Sequence, residues 1–300
     1  MIEDRIRTLE REHFARHRVT WSERFLDVDA GVRIRVLELG NGAPIICLHA
    51  ASWFAAHWAE LSASLPGHRL CCLDMPGHGL SDAVVYSVRD VRAQQVRLFR
   101  RILEQLGLGR TRIMGNSFGG MTALWLALDA SELVSEVVIL GVPATALPGA
   151  KPDLLMSLLT IRGFNRLLLA LPSTQWSSRL ILRGALGRPA LARLPAELVA
   201  LHALGRKRRA FTRTIASWMP ATHAWRRGLG SVTLADEELA ALGQPVHFIW
   251  GAEDPFGGPV LAERAATRLA SATVTVIPGG HFPQLGESVR CARAIADALQ

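Results

Sequence analysis

Gly115-Asn116-Ser117-Phe118-Gly119-Gly120 is the stretch on which the reading of this 300-residue chain turns. It has the form G-x-S-x-G, a short apolar run (Arg112 to Met114) precedes it, and a segment of helical length (Phe118 to Asp129) follows. A serine between a strand and a helix sits on a tight, strained turn, and the flanking glycines let neighbouring chain approach it. The helix N-terminus directs unpaired N–H groups at any charge forming beside Ser117, with the Phe118 N–H as the natural donor to an oxyanion.

The surrounding sequence supplies the sheet that such a turn requires. Residues 2 to 18 read as a charged helical arm. Arg24 to Val28 and Val32 to Leu39 flank Asp29-Ala30-Gly31 as a hairpin. Ile45 to Leu48, Arg69 to Leu73, Arg112 to Met114 and Val137 to Leu140 are short apolar runs separated by helical segments, notably Val88 to Leu106. This alternation predicts an α/β fold, a mostly parallel central sheet flanked by helices. From Ala144 to Ala235 it stops, and amphipathic Arg-rich stretches broken by prolines predict an inserted helical cap. Strands at Val246 to Trp250 and Thr273 to Ile277, with helices around Val260 to Leu269 and Glu287 to Leu299, then resume the pattern. The expected organisation is core residues 1–143, cap residues 144–235 and core residues 236–300.

A serine hydroxyl needs a base, so a histidine is required. His281 follows the strand Thr273 to Ile277 through Pro278-Gly279-Gly280, at the end where parallel sheets place their sites. His13 and His17 lie on the charged arm, His202 and His223 in the cap, and His247 inside a strand, where a satisfied core histidine is expected. The third member must be a carboxylate beyond another strand end. Gly141-Val142-Pro143-Ala144 contains none, whereas Gly251-Ala252-Glu253-Asp254 does. Asp254, held in a turn before Pro255, is the predicted acid and Glu253 the fallback. The order Ser, Asp, His suits this topology.

Composition narrows the class. With 49% hydrophobic residues the chain can bury a large core, and no stretch reads as a membrane span or a secretion signal. Cys47, Cys71, Cys72 and Cys291 show no metal-binding spacing and read as buried thiols of a reduced, cytoplasmic protein. No metal and no cofactor are expected. The net charge of +8 is uneven: Lys151 to Gly230 carry 14 basic and two acidic residues, or +12. A solvated face accounts for such a run; an anionic substrate or an acidic surface are the sharper alternatives. Nucleic-acid binding is not expected, because no aromatic platform interleaves the charges.

Five blocks in order resemble the α/β-hydrolase superfamily, in its capped serine-hydrolase branch, from about Val32 onward. They are Leu48-His49, the run Asp74-Met75-Pro76-Gly77-His78-Gly79-Leu80-Ser81, the elbow at Ser117, Trp250-Gly251-Ala252-Glu253-Asp254, and Gly279-Gly280-His281-Phe282-Pro283. The resemblance implies that Asp74 is structural and that Ala51, in His49-Ala50-Ala51-Ser52, gives the second oxyanion N–H. Ala50 departs from the family's usual glycine. Epoxide and haloalkane hydrolases of this kind use an aspartate nucleophile, so Ser117 argues against both. The expected activity is hydrolysis of a carboxylic ester of a small or medium apolar substrate through an acyl-enzyme. C–C bond hydrolysis of a diketone-type ring-cleavage product is the second reading, since Asn116 resembles the elbow of such enzymes, although they commonly carry tryptophan where Phe282 stands. Haloperoxidase-like activity would use the same triad, and a non-catalytic small-molecule-binding member is the remaining class. Asn116, Trp176, Trp218 and Phe282 are candidate substrate contacts, with Phe164, Phe211 and Trp225 as further aromatics for the cap. A small molecule is the expected partner, and the oligomeric state is left open.

Overall fold

The alternating apolar runs assemble into one eight-stranded sheet in the computed structural model, which describes every residue except Ala30. The strands are β1 (Trp21–Asp29), β2 (Val32–Gly40), β3 (Ala43–Leu48), β4 (His68–Leu73), β5 (Thr111–Asn116), β6 (Val134–Leu140), β9 (Val246–Gly251) and β10 (Ala272–Ile277). Their spatial order is β1-β2-β4-β3-β5-β6-β9-β10. β2 runs antiparallel to both neighbours, and the pairs from β4 to β10 are parallel. The expected hairpin is the β1–β2 pair, with Ala30 of its turn outside the described residues.

Helices α1 (Ile2–His17), α2 (Ala59–Ser64), α3 (Val91–Leu106), α4 (Phe118–Asp129), α10 (Asp236–Ala240), α11 (Val260–Ala266) and α12 (Ser288–Ala298) surround the sheet. Both faces are buried, which is why the central strands read as unbroken apolar runs rather than alternations. Ile46, Leu48, Ile113 and Val137 enter one apolar cluster, while Ile45, Cys47, Met114 and Val138 enter the other. The four cysteines are buried and unpaired, and burial pushes the Cys71 thiol up to about 12.

Between β6 and β9 the chain forms α5 (Leu154–Leu158), α6 (Phe164–Ala170), α7 (Gln175–Arg193), α8 (Ala196–Gly205) and α9 (Arg209–Thr222). A short ribbon of β7 (His223–Ala224) and β8 (Arg227–Gly228) follows them, where no strand was expected. Helix α7 breaks at Gly187 (φ 76°, ψ 167°), just before Pro189. The N-terminal arm ties this insert to the core: Arg16 donates to Glu197 at 2.6 Å, and Arg35, on β2, donates to Glu10 at 2.6 and 2.8 Å. Among the described residues no helix is long and apolar enough to cross a membrane, and no His, Cys, Asp and Glu cluster could hold a metal.

Candidate active site

Three sequence-distant residues converge at the C-terminal ends of the parallel strands. Ser117 follows β5, Asp254 follows β9 and His281 follows β10. Ser117 caps α4 with φ 52° and ψ −112°, a conformation that an L-residue adopts only when its surroundings enforce it. The enforcement is local packing. A Cβ on Gly119 would lie 2.0 Å from the Leu48 carbonyl oxygen of β3, so only glycine lets the helix start this close to the sheet. As the first residue of α4, Phe118 has an N–H without an intrahelical acceptor, beside the Ser117 side chain.

His281 and Asp254 are joined directly. The imidazole Nδ1 lies 2.8 Å from Asp254 Oδ2, and both side chains are buried. The Val142 N–H also donates to Oδ2, at 2.9 Å, and the Phe256 N–H donates to Oδ1 at 3.0 Å. A carboxylate accepting two backbone N–H groups is fixed in place, and the acceptor it presents orients the ring with a proton on Nδ1. His281 Nε2 is then the free basic nitrogen; it is buried and has no hydrogen-bond partner. Glu253, the fallback acid, is exposed.

Ser117 and His281 share the walls of a cavity with two lobes. The smaller, of about 30 Å³, is bordered by Phe118, Val142, Trp218, Met219, His223 and Phe256. The larger, of about 100 Å³, reaches Trp53, Met156, Leu159, Ile181, His202 and Phe282. Ala51 borders both. The loop that carries it is anchored by His49: Nδ1 donates to the Ala50 carbonyl at 2.7 Å, and Nε2 accepts the Met75 N–H at 2.9 Å. Burial holds the His49 pKa well below its ordinary value, which matches a neutral ring. Ala50 takes the place of the family's glycine without strain: positive φ in this loop falls on Ser52 (68°) instead. Asp74 accepts the N–H groups of Ala55 (2.7 Å) and Leu80 (2.8 Å) and pairs with Arg35, so it organises this loop rather than facing the cavity.

Trp218 and Phe282 border the cavity; two other expected substrate contacts do not. Asn116 is buried behind the elbow, where Nδ2 donates to the carbonyls of Leu140 (2.6 Å) and His281 (2.9 Å). Its place is therefore to hold the His281 backbone, and the expectation of a substrate contact is corrected. Trp176 is 74% exposed on the outer side of α7, so that expectation is corrected too. Helix α7 turns Ser178, Leu182 and Leu186 inward, and Trp176 lies off that stripe. Phe164 and Trp225 are likewise exposed, and Phe211 packs edge-on against His78. His247 is satisfied in the core by Thr273 and Glu136, each at 2.8 Å.

Residues that the sequence did not single out also reach the cavity. His202, on α8, is buried with both ring nitrogens unpartnered, and burial pushes its pKa down to about 3, so it enters the larger lobe as a neutral donor–acceptor. His223, buried and pushed down to about 4, is bonded through Nδ1 to Thr222 Oγ1 at 2.7 Å. The Ala185 carbonyl of α7 accepts the His281 N–H at 3.0 Å. Its helical donor would have been residue 189, a proline without an N–H.

Residues 43–288 match the model of the α/β hydrolase fold family, and the chain belongs to that family. Over 131 residues it is 34% identical to a 2-hydroxy-6-oxononadienedioate/2-hydroxy-6-oxononatrienedioate hydrolase of Klebsiella pneumoniae, a match covering 40% of this chain and 44% of that one. The chain thus spans less than half the length of the curated relatives it matches. Among solved structures it resembles the carboxylesterase CesB of Bacillus subtilis (TM-score 0.77, 16% identity, 99% of this chain and 98% of that one). It also resembles a 2-hydroxy-6-oxo-6-phenylhexa-2,4-dienoate hydrolase of Rhodococcus (TM-score 0.75, 19% identity, 94% and 99%). At such identities the structural likeness speaks for the fold.

Proposed function

We propose that the protein is a serine hydrolase that cleaves a carboxylic ester of a small or medium apolar substrate through an acyl-enzyme. The observation that carries this reading is the Asp254–His281 pair: it fixes Nδ1 at 2.8 Å and leaves Nε2 unpartnered in the wall of a cavity that Ser117 shares. In the reaction, His281 Nε2 takes the Ser117 proton as Oγ attacks the carbonyl carbon. The N–H groups of Phe118 and Ala51 receive the oxyanion, and loss of one such donor typically costs about 100- to 1000-fold. Nε2 then protonates the leaving alcohol, and water repeats the sequence on the acyl-enzyme. Asn116 and the Ala185 carbonyl keep the His281 backbone in place while the proton moves. The helical insert acts as a cap: Met156, Ile181 and Trp218 close the lobes with apolar side chains, which suits an uncharged acyl or alkyl group.

C–C bond hydrolysis of a diketone-type ring-cleavage product is the second reading, favoured by the likeness to the Klebsiella pneumoniae hydrolase. That relative is named for dioate substrates, with two carboxylates. Among the described residues Lys151 is the one Lys or Arg bordering either lobe, which ranks the ester first.

The test is turnover of p-nitrophenyl acetate and butyrate beside a vinylogous diketone, with fluorophosphonate labelling as the check on the nucleophile. Wild-type protein should hydrolyse the esters and take the label on Ser117, and Ser117→Ala should do neither. Diketone turnover exceeding ester turnover would promote the second reading. Absence of both turnover and label would leave a non-catalytic binding protein.

A further inference from the structure

Residues 154–196 hold six arginines and no Asp, Glu or Lys. Eight of the sixteen exposed large apolar side chains among the described residues fall between 154 and 180. The most exposed are Trp176 (74%), Leu167 (67%), Leu171 (62%) and Leu180 (57%). They cannot simply turn inward, because the inner sides of these helices are already occupied. Asn165 ties α6 to the carbonyls of Leu159 and Ala216 at 3.2 and 2.9 Å, and α7 buries Ser178, Leu182 and Leu186. Outward, Phe164 and Leu167 on α6 and Leu171 just past its end, with Trp176, Arg179, Leu180 and Arg183 along α7, are all exposed. Among the described residues, the one ion pair contributed by residues 154–193 is Arg193–Glu287.

We propose that the exposed apolar and arginine side chains of α6 and α7 dock on an anionic lipid surface. Leucine, phenylalanine and tryptophan interleaved with unpaired arginines is the composition of helices that lie in a bilayer interface. The apolar tips enter the acyl boundary while the guanidiniums meet lipid phosphates. A second copy of the chain suits the face poorly. A two-fold interface sets the same patch against itself, which here opposes arginines to arginines with no acid between them. Six of the 14 basic residues between Lys151 and Gly230 lie in this stretch and would meet a partner of opposite charge there.

The cavity reaches the surface beside this region. Leu155 is 36% exposed and also borders the larger lobe, next to Met156 and Ile181. An apolar ester dissolved in the bilayer would thus enter without crossing water, a consequence that rests on the serine-hydrolase reading; the docking itself does not.

The experiment is co-sedimentation of the full chain with vesicles of phosphatidylcholine alone, or mixed with phosphatidylglycerol, at low and high salt. Binding to the anionic vesicles, weakened by salt and absent with phosphatidylcholine, is expected. Arg179→Gln with Arg183→Gln should weaken it by about fivefold per arginine, and Leu167→Ser with Leu180→Ser by about tenfold or more per leucine. Both double variants should keep the wild-type melting temperature. No binding to anionic vesicles, or equal binding by wild type and variants, would overturn the proposal. So would a dimer in sedimentation velocity that the leucine variant dissolves while vesicles bind nothing. Because sedimentation needs no turnover, a failed Ser117 assay leaves the docking result interpretable.

Discussion

Replacing Asp254 by asparagine tests the assignment at the point where the structure constrains it most. The carboxylate takes His281 Nδ1–H and Val142 N–H on Oδ2, and Phe256 N–H on Oδ1. An asparagine must place its NH₂ at one of these edges, and each edge already faces a backbone N–H. A donor–donor conflict therefore arises either way, at a cost of about 1–3 kcal/mol in stability for a buried unpaired group. The two placements differ in what they do to the histidine. With C=O toward His281, the ring keeps its proton on Nδ1 but loses the negative charge opposite the imidazolium. With NH₂ toward it, the proton must move to Nε2 and the base disappears. For charge centres about 4 Å apart at an effective dielectric near 20, the lost attraction is about 4 kcal/mol. That corresponds to about a thousandfold in rate; any population of the wrong tautomer deepens the loss toward about ten thousandfold. Steady-state hydrolysis of p-nitrophenyl butyrate should show this fall in kcat with KM little changed, and fluorophosphonate labelling should slow in parallel. Glu253→Gln, at an exposed position, should leave both rates near wild type. Retention of more than a tenth of kcat by Asp254→Asn, or a hundredfold loss in Glu253→Gln, would refute the assignment.

Two further outcomes follow from packing and burial. In Gly280→Ala, the new Cβ would stand 2.7 Å from the Ala185 oxygen and 3.2 Å from that of Leu186. Helix α7 must then retreat and release the His281 N–H. A tenfold or larger drop in kcat is expected, with an overpacking cost of about 1–3 kcal/mol in thermal stability; an unchanged kcat would mean that the insert does not hold the histidine. The second outcome concerns pH. Burial depresses His57 and His202 to about 3 and His13, His78 and His223 to about 4, so the folded protein keeps them neutral while the unfolded chain protonates them below about pH 6.5. Stability is therefore complete above pH 6.5 and is lost as pH falls toward the folded values. By pH 5 each histidine removes about 2 kcal/mol, and the five together rival the whole stability of a domain, about 5–15 kcal/mol. Melting temperatures followed by circular dichroism should drop steeply between pH 7 and 5, and a flat profile would contradict the burial of these rings.

The parts of the site readable in advance were those that carry their own backbone signature. A glycine-flanked serine between an apolar run and a helix points to a tight strand-to-helix turn, and the order of strand ends left a single segment able to supply the acid. The central strands were legible because burial on both faces makes them continuously apolar. What escaped was whatever depends on where a helix faces. Trp176 and Trp218 are equal as letters, yet the Ser178–Leu182–Leu186 stripe turns the first outward, while the second packs 4.1 Å from Phe118. Asn116, in an elbow that resembles that of C–C hydrolases, reads from sequence as a candidate substrate contact. Its amide instead reaches the carbonyl of His281, 165 residues away in sequence, a pairing that no local pattern encodes.

The same distinction bears on how the insert and the histidine came to be linked. Pro189 and Gly187 read locally as helix breakers, and locally they are. The break matters because the Ala185 carbonyl, deprived of its helical donor, accepts the N–H of His281, while Gly280 leaves room for the approach. A continuous α7 would satisfy that carbonyl within the helix and leave a buried N–H at the histidine without a partner, a loss of the order of 1–3 kcal/mol. The irregularity in the insert is thus coupled to order in the site. Any movement of the α7 kink away from the core must first break a hydrogen bond made by the catalytic candidate itself.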